Sequence, residues 1–292
     1  MDPNADPPAP KPGEPLTMPV PPPDGMEEVR RRHEANRASW NEAAERYREE
    51  IEETIRFLRE GRSNLHPIER RNLGELRRWC RRAIHLQCAS GRDTLSLVNE
   101  GVAEVAGVDI SDLHIENARR TSEALGIPAR WFRCDVLETP HELDGWADLV
   151  YTGRGAVCWM HDLDAWAAVA YRLLRKGGVF HVFDGHPSTY LFDFDASEVR
   201  WSGLHYFRYC EVSRGWSPGY LGNLGKPVEE EAPKYERLWT IADVFMALRG
   251  AGFDVERIGE HPDPYFNAFP NLSADACARL PMTFSVLARR PR

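Results

Sequence analysis

From residue 82 to the C-terminus, short apolar runs alternate with amphipathic stretches, and this alternation is the strongest constraint on what the chain can fold into. The runs Ala83 to Leu86, Glu104 to Asp109, Ala129 to Asp135, Ala147 to Tyr151 and Val179 to Asp184 have the length and continuous apolarity of buried strands. Between them, Asp93 to Glu100, Asp112 to Leu125 and Leu163 to Leu174 carry helical spacing, the second behind the N-cap residue Ser111. Thr240 caps a further helix through Leu248, with Trp239 and Val244 placed as a hydrophobic staple and Gly250 and Gly252 ending it. Phe253 to Ile258 and Met282 to Ala288 read as the last strands. Strand-helix alternation of this kind predicts an α/β fold with a doubly wound parallel sheet.

The N-terminal part is different. Ten of the 22 prolines fall in the first 23 residues, so residues 1–24 are expected to form a disordered tail outside the fold. Trp40, Ala44, Tyr47, Ile51, Ile55 and Leu58 then recur at three- and four-residue steps, giving one long amphipathic helix or two in series up to Gly61. Pro67 is placed as the first residue of another helix, running to about Trp79. Residues 25–82 are therefore expected to be helical. The tail carries −3 of the net charge of −8, and the −5 left on the rest argues against a nucleic-acid partner. The chain has no apolar run long enough for a membrane span and no basic-then-apolar N-terminal segment, so the expected location is the cytoplasm. The six cysteines form no CxxC pair and are expected to be free thiols.

Residues 185–238 break the alternation. They hold ten of the 30 aromatic residues, and a long aromatic insertion between two sheet strands suits a binding cover better than a linker.

In an open parallel sheet, ligands bind at the carboxyl ends of the strands. The first strand ends in His85-Leu86-Gln87-Cys88-Ala89-Ser90-Gly91, the second in Asp109 and the third in Cys134-Asp135-Val136. Asp109 stands 23 residues beyond Leu86, the separation expected of a carboxylate that accepts ribose hydroxyls. The first turn has no Gly-x-Gly-x-x-Gly and no Walker lysine, so a nucleoside fits better than a pyrophosphate.

These residues, in this order, resemble class I S-adenosylmethionine-dependent methyltransferases of the small-molecule, natural-product type. The matching elements are IHLQCASGRDTLSL, VAGVDIS, FRCDVLE, ADLVYTGRGAVCW, LLRKGG and PMTFSVLARRP, with NRASWNEAAERY similar to a lid helix. The resemblance implies a Rossmann-like seven-stranded sheet with its last strand antiparallel, a lid over residues 25–82, a core over 83–292 and a substrate cover over 185–238. It also implies S-adenosyl-L-methionine as cofactor. The loop containing Gln87, Ala89 and Gly91 would pass beneath the methionine part. Asp109 would take the ribose hydroxyls, Ile110 would pack on adenine, and Asp135 with the Val136 amide would bind the adenine edge. Thr152 and Gly153 would line the sulfonium, and Tyr47 would reach the carboxylate end. The loop keeps only Gly91 of the family's glycines, with Gln87 and Ala89 at other positions of the pattern.

For the chemistry, the ends of the fourth and fifth strands nominate Arg154, Asp184 and His186, one of the last two as general base or substrate orienter. An equal alternative is that His186 only bonds the chain near Pro187. Tyr190, Tyr206, Trp216 and Tyr220 are the expected acceptor contacts, favouring a hydrophobic or aromatic small molecule. Trp40, Trp79 and Trp239 are expected in the core. Magnesium held by Asp184, Asp193 and Asp195 ranks below a metal-free site. Three other readings stay open. The fold and cofactor could serve a cyclisation, rearrangement or decarboxylation; a nicotinamide enzyme is disfavoured by Gln87 and Ala89; and the proline tail could be a partner ligand. The sequence leaves open the acceptor, the methylated element and the oligomeric state, a homodimer included.

Overall fold

A computed structural model describes residues 16–207, 209–217 and 220–292. In chain order its elements are β1 (Leu16–Pro19), α1 (Gly25–Glu49), α2 (Ile51–Arg59), α3 (Pro67–Leu73), β2 (Arg82–Leu86), α4 (Arg92–Asn99), β3 (Glu104–Asp109) and α5 (Asp112–Leu125). They continue with β4 (Ala129–Arg133), β5 (Ala147–Gly153), α6 (Leu163–Leu173), β6 (Leu174–Gly185), β7 (Cys210–Arg214), β8 (Lys234–Arg237), α7 (Ile241–Gly250), β9 (Asp254–His261), α8 (Ala274–Cys277) and β10 (Thr283–Arg289).

The main sheet has seven strands in the order β4-β3-β2-β5-β6-β10-β9. The first five are parallel, and β10 runs antiparallel to both β6 and β9. This is the Rossmann-like sheet expected from the alternation. The apolar runs were legible because strands covered on both faces have no polar side. Local signals also hold. The Ser111 side chain accepts the His114 amide at the start of α5, and Thr240 and Asp243 form a reciprocal capping box at α7. The largest core lies between the sheet and α6 and α7, centred on Trp166, Phe180 and Phe253.

The N-terminal helical reading resolves into two helices in series, separated at Glu50. α1 packs against α5 and β8, and α2 against α4 and α5. α3 stops at Leu73 rather than near Trp79, because Gly74 takes a left-handed φ of 63° and turns the chain. Among the described residues, no helix is long and apolar enough to cross a membrane. All six cysteines are free.

One expectation is corrected. Residues 1–15 lie outside the described residues, but Leu16–Pro19 are not tail: they form strand β1, antiparallel to β7. The proline-rich composition hid this edge strand, which can tolerate Pro19 because edge positions need not donate on both sides. The aromatic insertion also has a frame of its own. β7 and β8 pair antiparallel, and with β1 they make a separate three-stranded sheet in the order β1-β7-β8.

Candidate active site

The carboxyl ends of β2, β3, β4 and β5 converge on a cleft of about 110 Å³, which opens into a larger cavity of about 400 Å³ under the insertion. Together they reach the size of an ordinary small-molecule site, roughly 300–1,000 Å³. The two share Trp40, Arg154, Gly155, Trp159 and Tyr220.

The cleft is built first by the turn after β2. Gln87 and Ala89 have left-handed φ values of 57° and 45°, a strained conformation for residues with a Cβ, and Gly91 follows at 80°. Hydrogen bonds hold the turn in place. The Ala89 amide donates to Asp109 Oδ2 at 2.8 Å, and Gln87 Nε2 donates to the Ala156 carbonyl at 2.6 Å. The Ser111 amide donates to the other Asp109 oxygen at 2.9 Å. Burial pushes the Asp109 carboxyl up to about 6, although the amides of Ser111, Ala89 and Ile110 oppose the shift.

At the end of β4, Asp135 Oδ1 accepts the Leu137 amide at 2.9 Å, while Oδ2 lies 2.6 Å from His33 Nδ1. His33 Nε2 accepts the His161 amide, so Nδ1 carries the proton and donates to Asp135. His114 also faces the cleft, against Trp40 and Tyr47. Burial pushes it down to about 3, keeping it neutral, and its Nε2 is buried with no hydrogen-bond partner.

Eight of the expected cofactor residues line this cleft: Tyr47, Gln87, Ala89, Asp109, Ile110, Asp135, Val136 and Gly153. Gly91 and Thr152 do not. Gly91 caps α4 against Trp131, and Thr152 donates to Gln87 Oε1 at 3.2 Å, steadying the turn from behind. His33, Asn36, Trp40, His114, Trp159 and Met160 line the cleft without having been expected there. Trp40 sits at core-like helical spacing, but its ring stands 4.7 Å from Trp216 and 5.3 Å from Trp159, forming the wall between cleft and cavity. Only the fold of the insertion onto α1 makes this visible.

The expected catalytic residues divide. Arg154 lines both cavities, with a left-handed φ of 59°. Asp184 lines neither cavity. Its carboxylate accepts the amides of Gly155, Ala156, Val157 and Gly185 at 2.5–3.0 Å, so it anchors the loop after β5 and has no face left for a substrate. Burial still holds its carboxyl above the usual range. His186 lies outside both cavities as well, its ring nitrogens facing Ser188 Oγ and Glu260 Oε1, each at 2.7 Å. The alternative reading of this histidine, as a residue that fixes the chain at Pro187, fits these contacts. Asp193 and Asp195 do not join Asp184, and among the described residues no three acidic, histidine or cysteine side chains gather as a metal site would require. Of the acceptor residues, Tyr190, Trp216 and Tyr220 line the larger cavity, whereas Tyr206 does not; it stacks edge-on against Phe207.

Comparison with known proteins fits this architecture. Residues 83–178 match the family model described as a methyltransferase domain. No curated protein sequence matches the chain. Among solved structures, a putative S-adenosylmethionine-dependent methyltransferase from Listeria monocytogenes is similar over 76% of this chain and 98% of its own, at 17% identity and a TM-score of 0.51. An S-adenosylmethionine-dependent methyltransferase from Clostridium acetobutylicum ATCC 824 is similar over 72% of this chain and 84% of its own, at 14% identity and a TM-score of 0.50. At such identities the likeness is one of fold.

Proposed function

Residues 83–178 are a methyltransferase domain, and on that premise we propose that the protein transfers a methyl group from S-adenosylmethionine to a small apolar or aromatic molecule. The observation that carries the reading is the shared wall: a cleft suited to a nucleoside opens, past Trp40, Trp159 and Tyr220, directly into a larger cavity with mostly apolar walls.

The cleft residues fit the cofactor. Asp109 would accept the ribose hydroxyls, Ile110 would pack against adenine, and Asp135 with the Val136 amide would meet the adenine edge. The strained turn at Gln87 to Gly91 would run beneath the amino-acid end, where Tyr47 and the unpartnered Nε2 of His114 offer polar contacts. When bound, the cofactor supplies a methyl group on a positively charged sulfur. The chain's part is to orient the acceptor, exclude water and present aromatic faces to positive charge, which are the contributions a displacement of this kind needs. The residues over 25–82 act as a lid over the cleft, and those over 185–238 as a cover over the acceptor.

Calorimetry with S-adenosylmethionine, S-adenosylhomocysteine and NAD tests the cofactor. Release of S-adenosylhomocysteine with candidate acceptors tests the reaction and separates methyl transfer from cyclisation or rearrangement. No binding of either sulfur nucleoside at millimolar concentration would overturn the proposal.

A further inference from the structure

The second sheet presents one face to the larger cavity. Alternate residues of a strand share a face, and Thr17, Glu211, Ser213, Lys234 and Glu236 all line that cavity. The register sets Glu211 directly opposite Glu236 and Ser213 opposite Lys234. Like charges opposite one another weaken a sheet, so this pair works against the local fold.

Neither carboxylate is fully satisfied by the protein, although the Tyr209 side chain hydrogen-bonds Glu211. Glu236 is half-buried on the cavity wall, with Lys234 as its charge partner. Glu211 Oε2 is buried without a partner. Lys234 does not neutralise both. Its ammonium donates to the Gly215 carbonyl, stands 4.6 Å over the Trp216 ring, and is also countered by Glu231, which is 1% exposed. One lysine therefore faces three glutamates, Glu231 buried and Glu211 and Glu236 half-buried. Burial, then the neighbouring Glu236, pushes Glu211 up to about 8, and burial raises Glu236 as well, so the pair favours taking up a proton when the cavity is free.

A bound anion would be repelled here, and a neutral hydroxyl would leave the surplus charge unanswered. An ammonium group supplies both the missing donors and the missing positive charge, beside an aromatic face that also favours cations. We propose that Glu211 and Glu236 form a receptor for a protonated amine, and that the acceptor of this enzyme carries a basic nitrogen. The inference deepens the methyl-transfer reading and rests on it for the word acceptor. Binding releases the proton held by the pair to solvent, leaving two carboxylates against one ammonium and Lys234.

The test uses the full chain saturated with S-adenosylhomocysteine and three probes of matched size: 2-phenylethylamine, 2-phenylethanol and phenylacetate. Calorimetry in buffers of different ionisation enthalpy should show the amine binding about tenfold or more tighter than the alcohol. It should also show release of up to about one proton per amine bound. Glu236→Gln and Glu211→Gln should each lower amine affinity about tenfold while leaving affinity for the alcohol and for S-adenosylhomocysteine unchanged. Retained affinity for the nucleoside shows that the variants are folded. Alcohol or acid binding as tightly as the amine, amine binding untouched in both variants, or no binding by any probe at millimolar concentration would overturn the receptor. If the amine preference holds but S-adenosylhomocysteine does not bind, the methyl-transfer reading fails and the receptor stands.

Discussion

Arg154, on the loop after β5, and Glu69, in α3, meet at 2.5 Å between a guanidinium nitrogen and a carboxylate oxygen, and Glu69 is fully buried. The other Glu69 oxygen accepts the Tyr151 hydroxyl at 2.5 Å, and Arg154 donates further to the Asn64 carbonyl and to Asp93. A side chain that lines both cavities is thereby fixed by the N-terminal helices. Its charge is matched before any ligand arrives, which suits a wall that orients and not a group that moves protons.

Breaking this pair should be costly. Glu69→Ala or Arg154→Ala leaves a buried charge without its nearest partner and should lower stability by about 3 kcal/mol in urea unfolding. The double substitution should cost clearly less than the sum, because neither charge is then stranded. Additive losses would show that the two side chains do not act as a unit.

Cofactor affinity should depend on pH through Asp109. Its ordinary value is 3.8 and its folded value about 6. Between the two, the folded protein holds a proton that the unfolded chain has released, so this group's stabilising contribution falls as pH rises through that window. Binding runs the other way, because ribose hydroxyls need an ionised acceptor. The dissociation constant for S-adenosylhomocysteine should rise toward about tenfold per pH unit below about 6 and level off above neutrality. Asp109→Asn should bind weakly at every pH; a flat wild-type titration would remove Asp109 from the ribose site.

Asp184 should behave as an anchor. Asp184→Ala strands four backbone donors and should lower stability by about 3 kcal/mol or more, together with cofactor affinity. Any turnover that survives should keep the wild-type pH profile. His186→Ala should leave turnover within about twofold, since a residue remote from the reacting groups has little hold on the barrier. A lost limb of the pH profile in either variant would restore that residue as a base.

Truncation should separate the first residues from strand β1. Removing residues 1–15 should leave melting temperature and turnover unchanged. Removing residues 1–20 takes Thr17 out of the cavity wall and bares the edge of β7, and should weaken acceptor binding while S-adenosylhomocysteine affinity stays within about twofold. Equal behaviour of the two truncations would show that β1 has no part in the cavity.

The main sheet was legible in the sequence because its strands are covered on both faces and its helices carry ordinary caps, so each element announces itself locally. Asp109 and Asp135 were legible for a related reason: strand ends are set by the same runs. The small sheet was not. Cys210–Arg214 and Lys234–Arg237 mix charged and apolar residues because one face supplies the polar groups of an otherwise mostly apolar cavity, and Leu16–Pro19 sits among prolines. Asp184 shows the other limit. An acid at a strand end looks the same in sequence whether it faces a ligand or a neighbouring loop, and only the four amides around it decide which.

β1 also sets an order of assembly. The strand precedes the main sheet in the chain, yet its partner β7 lies nearly two hundred residues further along, after five strands of that sheet. Loop-closure entropy makes so distant a pairing late, while β2 to β6 can form from near neighbours. The cleft at the strand ends can therefore take shape on the growing chain, whereas the larger cavity waits for its wall to be joined across nearly two hundred residues. Injury to that seam should spare the fold and strike the choice of substrate.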